Sequence, residues 1–167
     1  MKDILYVAAR NEYGELVLAK NAPKNSSYIC PECGEEMILR KSESLLRRPH
    51  FAHKKLVSNC TPESVLHYSF KQLLYQKILL NLRNQKEMQF QWKCSFCNEV
   101  HQGNLLKNAA TVEVECDLQD CRPDLVLFDP SHKPIGAIEI IVSHEPTEKT
   151  SNYLASQNIH LIKINLK

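Results

Sequence analysis

Two acidic residues stand beside or within stretches that otherwise have the composition of buried β-strands. Asp124 precedes the run Leu-Val-Leu-Phe, and Glu139 lies inside Ala-Ile-Glu-Ile-Ile-Val. A proline-containing polar segment separates the two runs, which predicts an antiparallel hairpin with one acid on each strand. Buried carboxylates need a cation or hydrogen-bond donors as partners. The two acids therefore predict either a magnesium or manganese site or an ion pair with a buried lysine or arginine.

A first set of candidate zinc ligands starts with Cys30 and Cys33, in the sequence Cys-Pro-Glu-Cys-Gly. Two thiolates at this spacing on a tight turn can bind one metal ion. His50, His53 and Cys60 follow as donors for the two remaining positions. Because His50 and His53 would face opposite sides of an extended segment, we predict that His53 and Cys60 complete the site. A set containing both histidines is the alternative.

A second set consists of the four remaining cysteines. Cys94 and Cys97 follow the alternating stretch 88–93, while Cys116 ends the alternating stretch 111–116 and Cys121 comes shortly after it. If the two stretches pair, the four thiolates project from neighbouring strand ends and predict a second structural zinc site. In the alternative, Cys116 is a buried thiol, and His101 or a carboxylate completes the site.

The segment that follows the first cysteine set predicts a long helix. Thr61 is a candidate N-cap, a proline follows at the first helical position, and apolar residues recur at helical spacing as far as about Asn84. Glu63, His67 and Lys71 lie at positions i, i+4 and i+8 and form one polar stripe. Such a stripe is most often a solvated helix face. The alternative is that it borders the site of the two acids.

The composition argues against membrane and secreted proteins. The chain of 167 residues contains no apolar run near the roughly 20 residues of a membrane span, and its N-terminus lacks the pattern of a signal peptide. We therefore expect a cytoplasmic protein without membrane contact. In that compartment, seven cysteines are more typical of metal ligands than of disulfides.

Charge is unevenly distributed along the chain. Residues 1–60 contain ten Lys and Arg and seven Asp and Glu, whereas residues 108–167 contain five and nine. A basic front half suits phosphate backbones, and an acidic back half suits divalent cations. The candidate nucleic-acid-binding residues near the first cysteine set are Arg40, Lys41, Arg47, Arg48, Lys54 and Lys55.

Two domains are predicted, at residues 1–60 and 61–167. The first contains a β-hairpin and a zinc ribbon. The second has the order helix, strand, strand, strand, helix, strand, in which 147–157 is the second helix and 159–166 is the last strand. A zinc-binding insertion lies within it at about 94–121. The expected fold class is mixed, α+β or α/β.

Together these motifs resemble the CoiA-like competence family. In that family, a zinc-ribbon part with Cys-Pro-x-Cys and His-Phe-Ala-His precedes a Glu-Ser-x-x-His-x-x-x-Lys helix and a PD-(D/E)-x-K nuclease core. The corresponding stretches here are 30–33, 50–53, 63–71, Arg-Pro-Asp124 and Ile-Glu139. The resemblance implies a restriction-endonuclease-like core with the order αβββαβ.

The resemblance also implies a function, which is divalent-metal-dependent hydrolysis of phosphodiester bonds in DNA or a related nucleic acid. Asp124 and Glu139 would bind magnesium or manganese, and Glu63 would be a further ligand or positioning group. Nucleases of this fold often pair, so a homodimer or a larger complex is expected. The chain departs from the family pattern at one position, where Ile141 stands in place of the usual lysine or glutamine.

Because isoleucine cannot orient or deprotonate water, we predict that Lys71 replaces the missing lysine. His67 is then a second acid–base candidate, and Glu115 is a weaker candidate for the same site. The alternative is a catalytically inactive, zinc-containing protein that binds nucleic acid or acts as an adaptor.

Overall fold

The computed structural model describes residues 5–42, 47–94 and 97–166. The described chain forms two compact units, and the division between them falls between Phe70 and Lys71. The fold is mixed α+β, as predicted, with two helices and three β-sheets in the described residues. The predicted domain boundary, at residues 60 and 61, lies just before the first helix.

The first unit is built on a five-stranded antiparallel sheet. Its strands are β1 (Ala8–Arg10), β2 (Leu16–Leu18), β3 (Tyr28–Ile29), β4 (Glu36–Arg40) and β5 (His50–His53), in the order β2-β1-β3-β4-β5. The turn between β1 and β2 forms because the Asn11 side chain accepts two backbone hydrogen bonds and Gly14 takes a φ of +76°. Tyr28 and Phe51 are buried in the core, with ring centroids 4.9 Å apart.

The first helix, α1 (Pro62–Arg83), begins where the sequence predicts. The Thr61 hydroxyl accepts a hydrogen bond from the Ser64 amide at 3.1 Å, and the Ser64 hydroxyl accepts one from the Thr61 amide at 3.0 Å. This reciprocal pair satisfies backbone donors that the helix itself leaves unpaired. The residues of α1 from Lys71 onward belong to the second unit, where Lys71 and Ile78 are buried.

The second unit contains a four-stranded sheet and a separate hairpin. The hairpin pairs β6 (Gln89–Lys93) with β7 (Val100–Asn104). The remaining elements are β8 (Thr111–Val114), β9 (Leu125–Phe128), β10 (Pro134–Ile141), α2 (Glu148–Ser156) and β11 (His160–Asn165). The sheet has the order β11-β10-β9-β8, with β10 and β11 parallel and the other neighbours antiparallel.

Without the β6–β7 hairpin, which lies between α1 and β8, the element order α1, β8, β9, β10, α2, β11 agrees with the predicted order. Thr147 caps α2 by accepting a hydrogen bond from the Thr150 amide. The restriction-endonuclease-like assignment itself stays a prediction. Two local expectations are wrong. The stretch 88–93 pairs with β7, which the sequence did not predict, and β8 ends at Val114 because Glu115 turns into the left-handed region with a φ of +49°.

Neither helix in the described part of the chain combines the length and the apolar composition that a bilayer-spanning segment requires.

Candidate active site and metal centres

The first predicted ligand set comes together in the first unit. Cys30 and Cys33 lie on the turn after β3, His53 ends β5, and Cys60 precedes α1. Their ligand atoms all lie within 4.8 Å of one another. The turn is closed by a hydrogen bond of 3.0 Å from the Gly34 amide to the Cys30 carbonyl, and Gly34 has a φ of +77°. Four donors of this kind can hold a metal ion.

The distances inside this group agree with a tetrahedral zinc site. Sγ of Cys30 lies 3.6 Å from Sγ of Cys60, and Sγ of Cys33 lies 3.3 Å from Nε2 of His53. Ligands at zinc–sulfur and zinc–nitrogen bond lengths on a tetrahedron stand about 3.5 to 3.8 Å apart. Burial raises the pKa of both the Cys30 and the Cys60 thiol, so a thiolate at either position needs a nearby cation.

His50 does not belong to this group. Its Nδ1 lies 3.0 Å from the Arg48 carbonyl, and among the described residues only His53 joins the three cysteines. Tyr6 supports the chosen histidine, because its ring packs edge-on against the His53 ring at 4.8 Å and its hydroxyl donates to the Cys60 carbonyl at 2.7 Å. No pattern in the sequence marks Tyr6, because many residues separate it from both partners along the chain.

The second predicted ligand set does not come together as four thiolates. Cys94 and Cys97 instead form a group with His101, and their ligand atoms lie within 4.8 Å of one another. Within the described residues, Cys116 and Cys121 join no such group. This outcome corrects the prediction of a four-cysteine site. It agrees with the alternative only in that His101 takes part, since Cys116 is partly exposed and Cys121 is not in the group.

The four cysteines do not form one group because the strands next to them pair in two different sheets. Cys94 and Cys97 lie in the connection between β6 and β7, whereas Cys116 and Cys121 lie in the connection between β8 and β9, which belong to another sheet. Cys121 packs against the core cluster of Ala137, Leu154 and Ile159. It therefore acts as a small apolar side chain rather than as a partner of the hairpin cysteines.

Three acids stand side by side at one end of the four-stranded sheet. The register pairs Leu125 of β9 with Val114 of β8 and with Ile138 of β10. One position beyond this paired row, the three chain segments carry Glu115, Asp124 and Glu139. The Glu115 amide donates to the Asp124 carbonyl at 3.0 Å. The predicted hairpin is therefore present and brings Asp124 and Glu139 to adjacent positions, with Glu115 on the other side of Asp124.

Lys71 of α1 places its ammonium group between two of these acids. Its Nζ lies 2.5 Å from Oε1 of Glu115 and 3.3 Å from Oδ1 of Asp124. Lys71 is 5% exposed and Asp124 is 8% exposed. The second Asp124 oxygen accepts a hydrogen bond from the Ile140 amide at 2.9 Å, so both oxygens of this buried carboxylate have partners.

The charges in this group stabilise one another. Burial lowers the pKa of Lys71, but the hydrogen bond to Glu115 and the charges of Asp124 and Glu115 outweigh it, so the pKa of Lys71 is raised. The hydrogen bond from Lys71 and then its charge lower the pKa of Glu115. Lys71 therefore contributes stability that is complete below its ordinary pKa and is lost as the pH rises through the raised value.

Arg122 is a site residue that the sequence analysis missed. Its guanidinium group donates to the Glu115 carbonyl at 2.7 Å and lies 3.3 Å from Oε2 of Glu115. Both contacts follow from the left-handed backbone at Glu115, and no sequence pattern marks that turn. Lys163 is also near, because β11 aligns it with Glu139, but its Nζ forms an ion pair with Glu145 at 2.7 Å.

The remaining predicted residues of the nuclease site differ in the element that carries them and in their burial. Ile141 is 3% exposed, so it is a core residue at the place where the family pattern has a lysine. Glu63 and His67 lie in the first two turns of α1, within the first unit, and their catalytic roles stay predictions. Glu139 is partly buried in β10.

Some of the predicted basic residues of the first unit contact other protein groups, and the others are exposed. Lys54 forms an ion pair with Glu36 at 2.8 Å, and Lys41 donates to the Lys20 carbonyl at 2.9 Å. The remaining members are exposed on the surface of that unit: Arg40, Arg47, Arg48 and Lys55. Exposed cations are available to a phosphate backbone, and their role in binding stays a prediction.

The first unit thus has the character of a small β-rich domain with one metal-ligand cluster. Residues 14–63 match the family model described as competence protein CoiA, N-terminal domain, and this match confirms the resemblance to the CoiA-like competence family. The matched range contains all four members of the cluster. No curated protein and no solved structure matches the chain.

The ion pair between Lys71 and Glu115 predicts a pH-dependent stability. Glu115 contributes stability above its ordinary pKa of 4.5, and this contribution is lost as the pH falls through the lowered value. Glu115→Gln should lower the free energy of unfolding at neutral pH by about 1 kcal/mol or less, because exposed pairs are weak and the Glu115 side chain is 44% exposed. Chemical denaturation at several pH values measures the difference.

The difference between wild type and Glu115→Gln should shrink as the pH falls below 4.5. It should disappear once the pH is below the lowered pKa of Glu115 in the folded state, because the carboxyl group is then protonated in the folded and the unfolded protein. Glu99→Gln, at an exposed position of the β6–β7 connection, should equal wild type throughout. A loss of stability that is the same at neutral and acid pH would show that the carboxylate charge does not contribute.

Proposed function

We propose that this chain is a divalent-metal-dependent nuclease that hydrolyses phosphodiester bonds in DNA or a related nucleic acid. The observation that carries the proposal is the position of the Lys71 ammonium group. It lies between Glu115 and Asp124, at the sheet end where the register puts Glu139 next to Asp124. A buried lysine beside two strand acids supplies the residue types that the family pattern requires, although the lysine comes from a helix.

The acids fit a hard divalent cation. Magnesium and manganese prefer carboxylate oxygens, and magnesium is often held by one or two protein carboxylates together with phosphate oxygens of the substrate. Asp124 and Glu139 would hold the ion, and Glu115 would remain with Lys71 and Arg122. Such an ion would supply an activated water and stabilise charge on the phosphate. The described residues contain no group of three carboxylates that could hold an ion without substrate oxygens.

The contribution of Lys71 is electrostatic. Its raised pKa keeps the amine protonated at neutral pH, so Lys71 does not act as a general base. An ammonium group held by two carboxylates is already oriented before substrate binds, and it stabilises negative charge on the phosphate oxygens in the transition state. Asp124 positions this group through Oδ1 and is itself held by the Ile140 amide.

Ile141 favours a second candidate function, which is a catalytically inactive protein that binds nucleic acid or acts as an adaptor. In this case the buried contact of Lys71 with Asp124 is purely structural. Binding would depend on the exposed cations of the first unit, among them Arg47 and Arg48, and would be sensitive to salt. The two candidate functions differ in whether the sheet acids are needed for turnover.

We further propose that the cluster of the first unit is a structural zinc site. The cluster offers three sulfur donors and one nitrogen donor, and zinc prefers donors of these types. The sulfur–sulfur separation of Cys30 and Cys60 is 3.6 Å, and the sulfur–nitrogen separation of Cys33 and His53 is 3.3 Å. Cys30 and Cys60 are buried within the core cluster that also contains Phe51, so the ion would hold the core of this unit together.

The two histidines of β5 provide a matched pair for testing this zinc site. His53→Ala should lower the zinc content and the thermal stability of the protein, because it removes one of four ligands. His50→Ala should leave both unchanged, since its ring lies outside the group. Metal analysis and thermal unfolding measure the effects. Equal zinc loss in both variants, or loss only in His50→Ala, would contradict the assignment.

The nuclease proposal predicts cleavage of labelled DNA or RNA in the presence of magnesium or manganese, and none in EDTA. Asp124→Asn and Glu139→Gln should each lower the rate by about 10²-fold or more, since each removes a charged group from the reacting site. Glu113→Gln is the matched control on the neighbouring strand β8 and should cleave like wild type. Zinc content and circular dichroism verify that each variant is folded.

Single-stranded, duplex and branched substrates should all be tested, because the substrate structure is not specified by the site. Salt-sensitive binding without cleavage of any substrate would contradict the nuclease proposal and favour the second candidate function. Cleavage that survives both Asp124→Asn and Glu139→Gln would also contradict it.

A further inference from the structure

The β6–β7 hairpin has little core of its own. It forms a separate two-stranded sheet, and most of its side chains are exposed, including Trp92 at 42%. A two-stranded hairpin of this size is marginally stable in water unless something else fixes it. Its tip carries Cys94, Cys97 and His101, three donors that can ligate a metal.

The tip of the hairpin has two backbone hydrogen bonds that match those of the first cysteine turn. The Cys94 amide donates to the Glu99 carbonyl at 2.9 Å, and the Asn98 amide donates to the Cys94 carbonyl at 3.0 Å. In the first unit, the equivalent hydrogen bonds run from Cys30 to the Glu35 carbonyl and from the Gly34 amide to Cys30, at 2.7 and 3.0 Å.

The fourth residue after the first cysteine is left-handed in both turns. Asn98 has a φ of +60°, and Gly34 has a φ of +77°. Asparagine tolerates this region better than most residues with a Cβ atom. The two cysteine pairs therefore share two backbone hydrogen bonds and a left-handed residue at the same position, although their flanking sequences differ.

The aromatic face of the hairpin holds His101 in a ligating position. Trp92 pairs with His101 across the strands, and the Trp92 ring stacks on the rings of Phe90 and His101 at centroid distances of 4.8 and 5.6 Å. Gly103 lies against this stack, since a Cβ atom there would be in van der Waals contact with the Trp92 ring at 3.4 Å. Nε2 of His101 lies 3.0 Å from Sγ of Cys97.

We propose that Cys94, Cys97 and His101 bind one zinc ion, and that a solvent molecule or an outside donor occupies the fourth position. No fourth Cys, His, Asp or Glu of the described residues joins the group. The ion links the two strands at the tip and stabilises the hairpin in place of an apolar core. Because none of its three ligands is buried, whereas Cys30 and Cys60 of the first cluster are buried, this ion is released to chelators before the ion of the first unit.

Metal analysis of the full chain and its variants tests the ligand set. Zinc should fall from about two ions per chain to about one in Cys97→Ser and in His101→Ala, and should stay at about two in His101→Cys, which keeps a donor. The double variant Cys116→Ser with Cys121→Ser is the matched control and should also keep both ions, because those thiols lie in another sheet connection.

Trp92 provides a second measurement, since it is the only tryptophan in the chain. During titration with a chelator, loss of the first zinc equivalent should change the Trp92 fluorescence, and loss of the second should not. His101→Ala should abolish the first phase and leave the second.

Four results would overturn the proposal. These are a wild-type chain with a single zinc ion that Cys97→Ser retains, full zinc content in His101→Ala, loss of one ion in the Cys116 and Cys121 double variant, and a Trp92 signal that follows the second equivalent. A His101→Ala protein that failed to fold would also lose the second fluorescence phase. His101→Cys with both ions and both phases would still support the site in that event.

Discussion

The buried ammonium group of Lys71 imposes the strongest constraint on the second unit. A lysine that is 5% exposed retains its charge only if carboxylates lie beside it. Glu115 and Asp124 meet this requirement, but only because β8 ends in the left-handed turn at Glu115 and β9 begins directly after Asp124. The Ile140 amide satisfies the remaining oxygen of Asp124. One helix and three strands are therefore held in register by a single set of charges.

The charged group of Lys71, Glu115 and Asp124 also explains how an isoleucine can occupy position 141. In our proposal, the positive charge that the family pattern supplies from the third strand comes from α1 instead, so β10 is free to bury Ile141 in the core. The proposed zinc ions have a structural role. They stabilise two parts of the chain in which local turns present the ligands, the first unit and the β6–β7 hairpin, and the hairpin has little apolar core of its own.

The sequence predicted those parts of the site that local patterns determine. The Thr61 cap, the polar stripe containing Lys71 and the two strands that carry Asp124 and Glu139 all follow from spacing and composition. The four-cysteine site failed because it depended on which strands pair, and the short, polar strand β7 has no clear alternation of its own. The left-handed turn at Glu115, and with it Arg122, depends on tertiary contacts that no local pattern encodes.

If Lys71 performs the role of the missing lysine, as we propose, a lysine returned to position 141 should replace it. The measurement compares the cleavage rate of Lys71→Met with that of the double variant Lys71→Met with Ile141→Lys, using protein that retains its zinc and its circular dichroism. We expect a loss of about 10²-fold or more in the single variant and a partial recovery in the double variant. Lys163→Met, beside Glu139 but paired with Glu145, should cleave normally. A folded Lys71→Met protein that cleaves at the wild-type rate would contradict the claim.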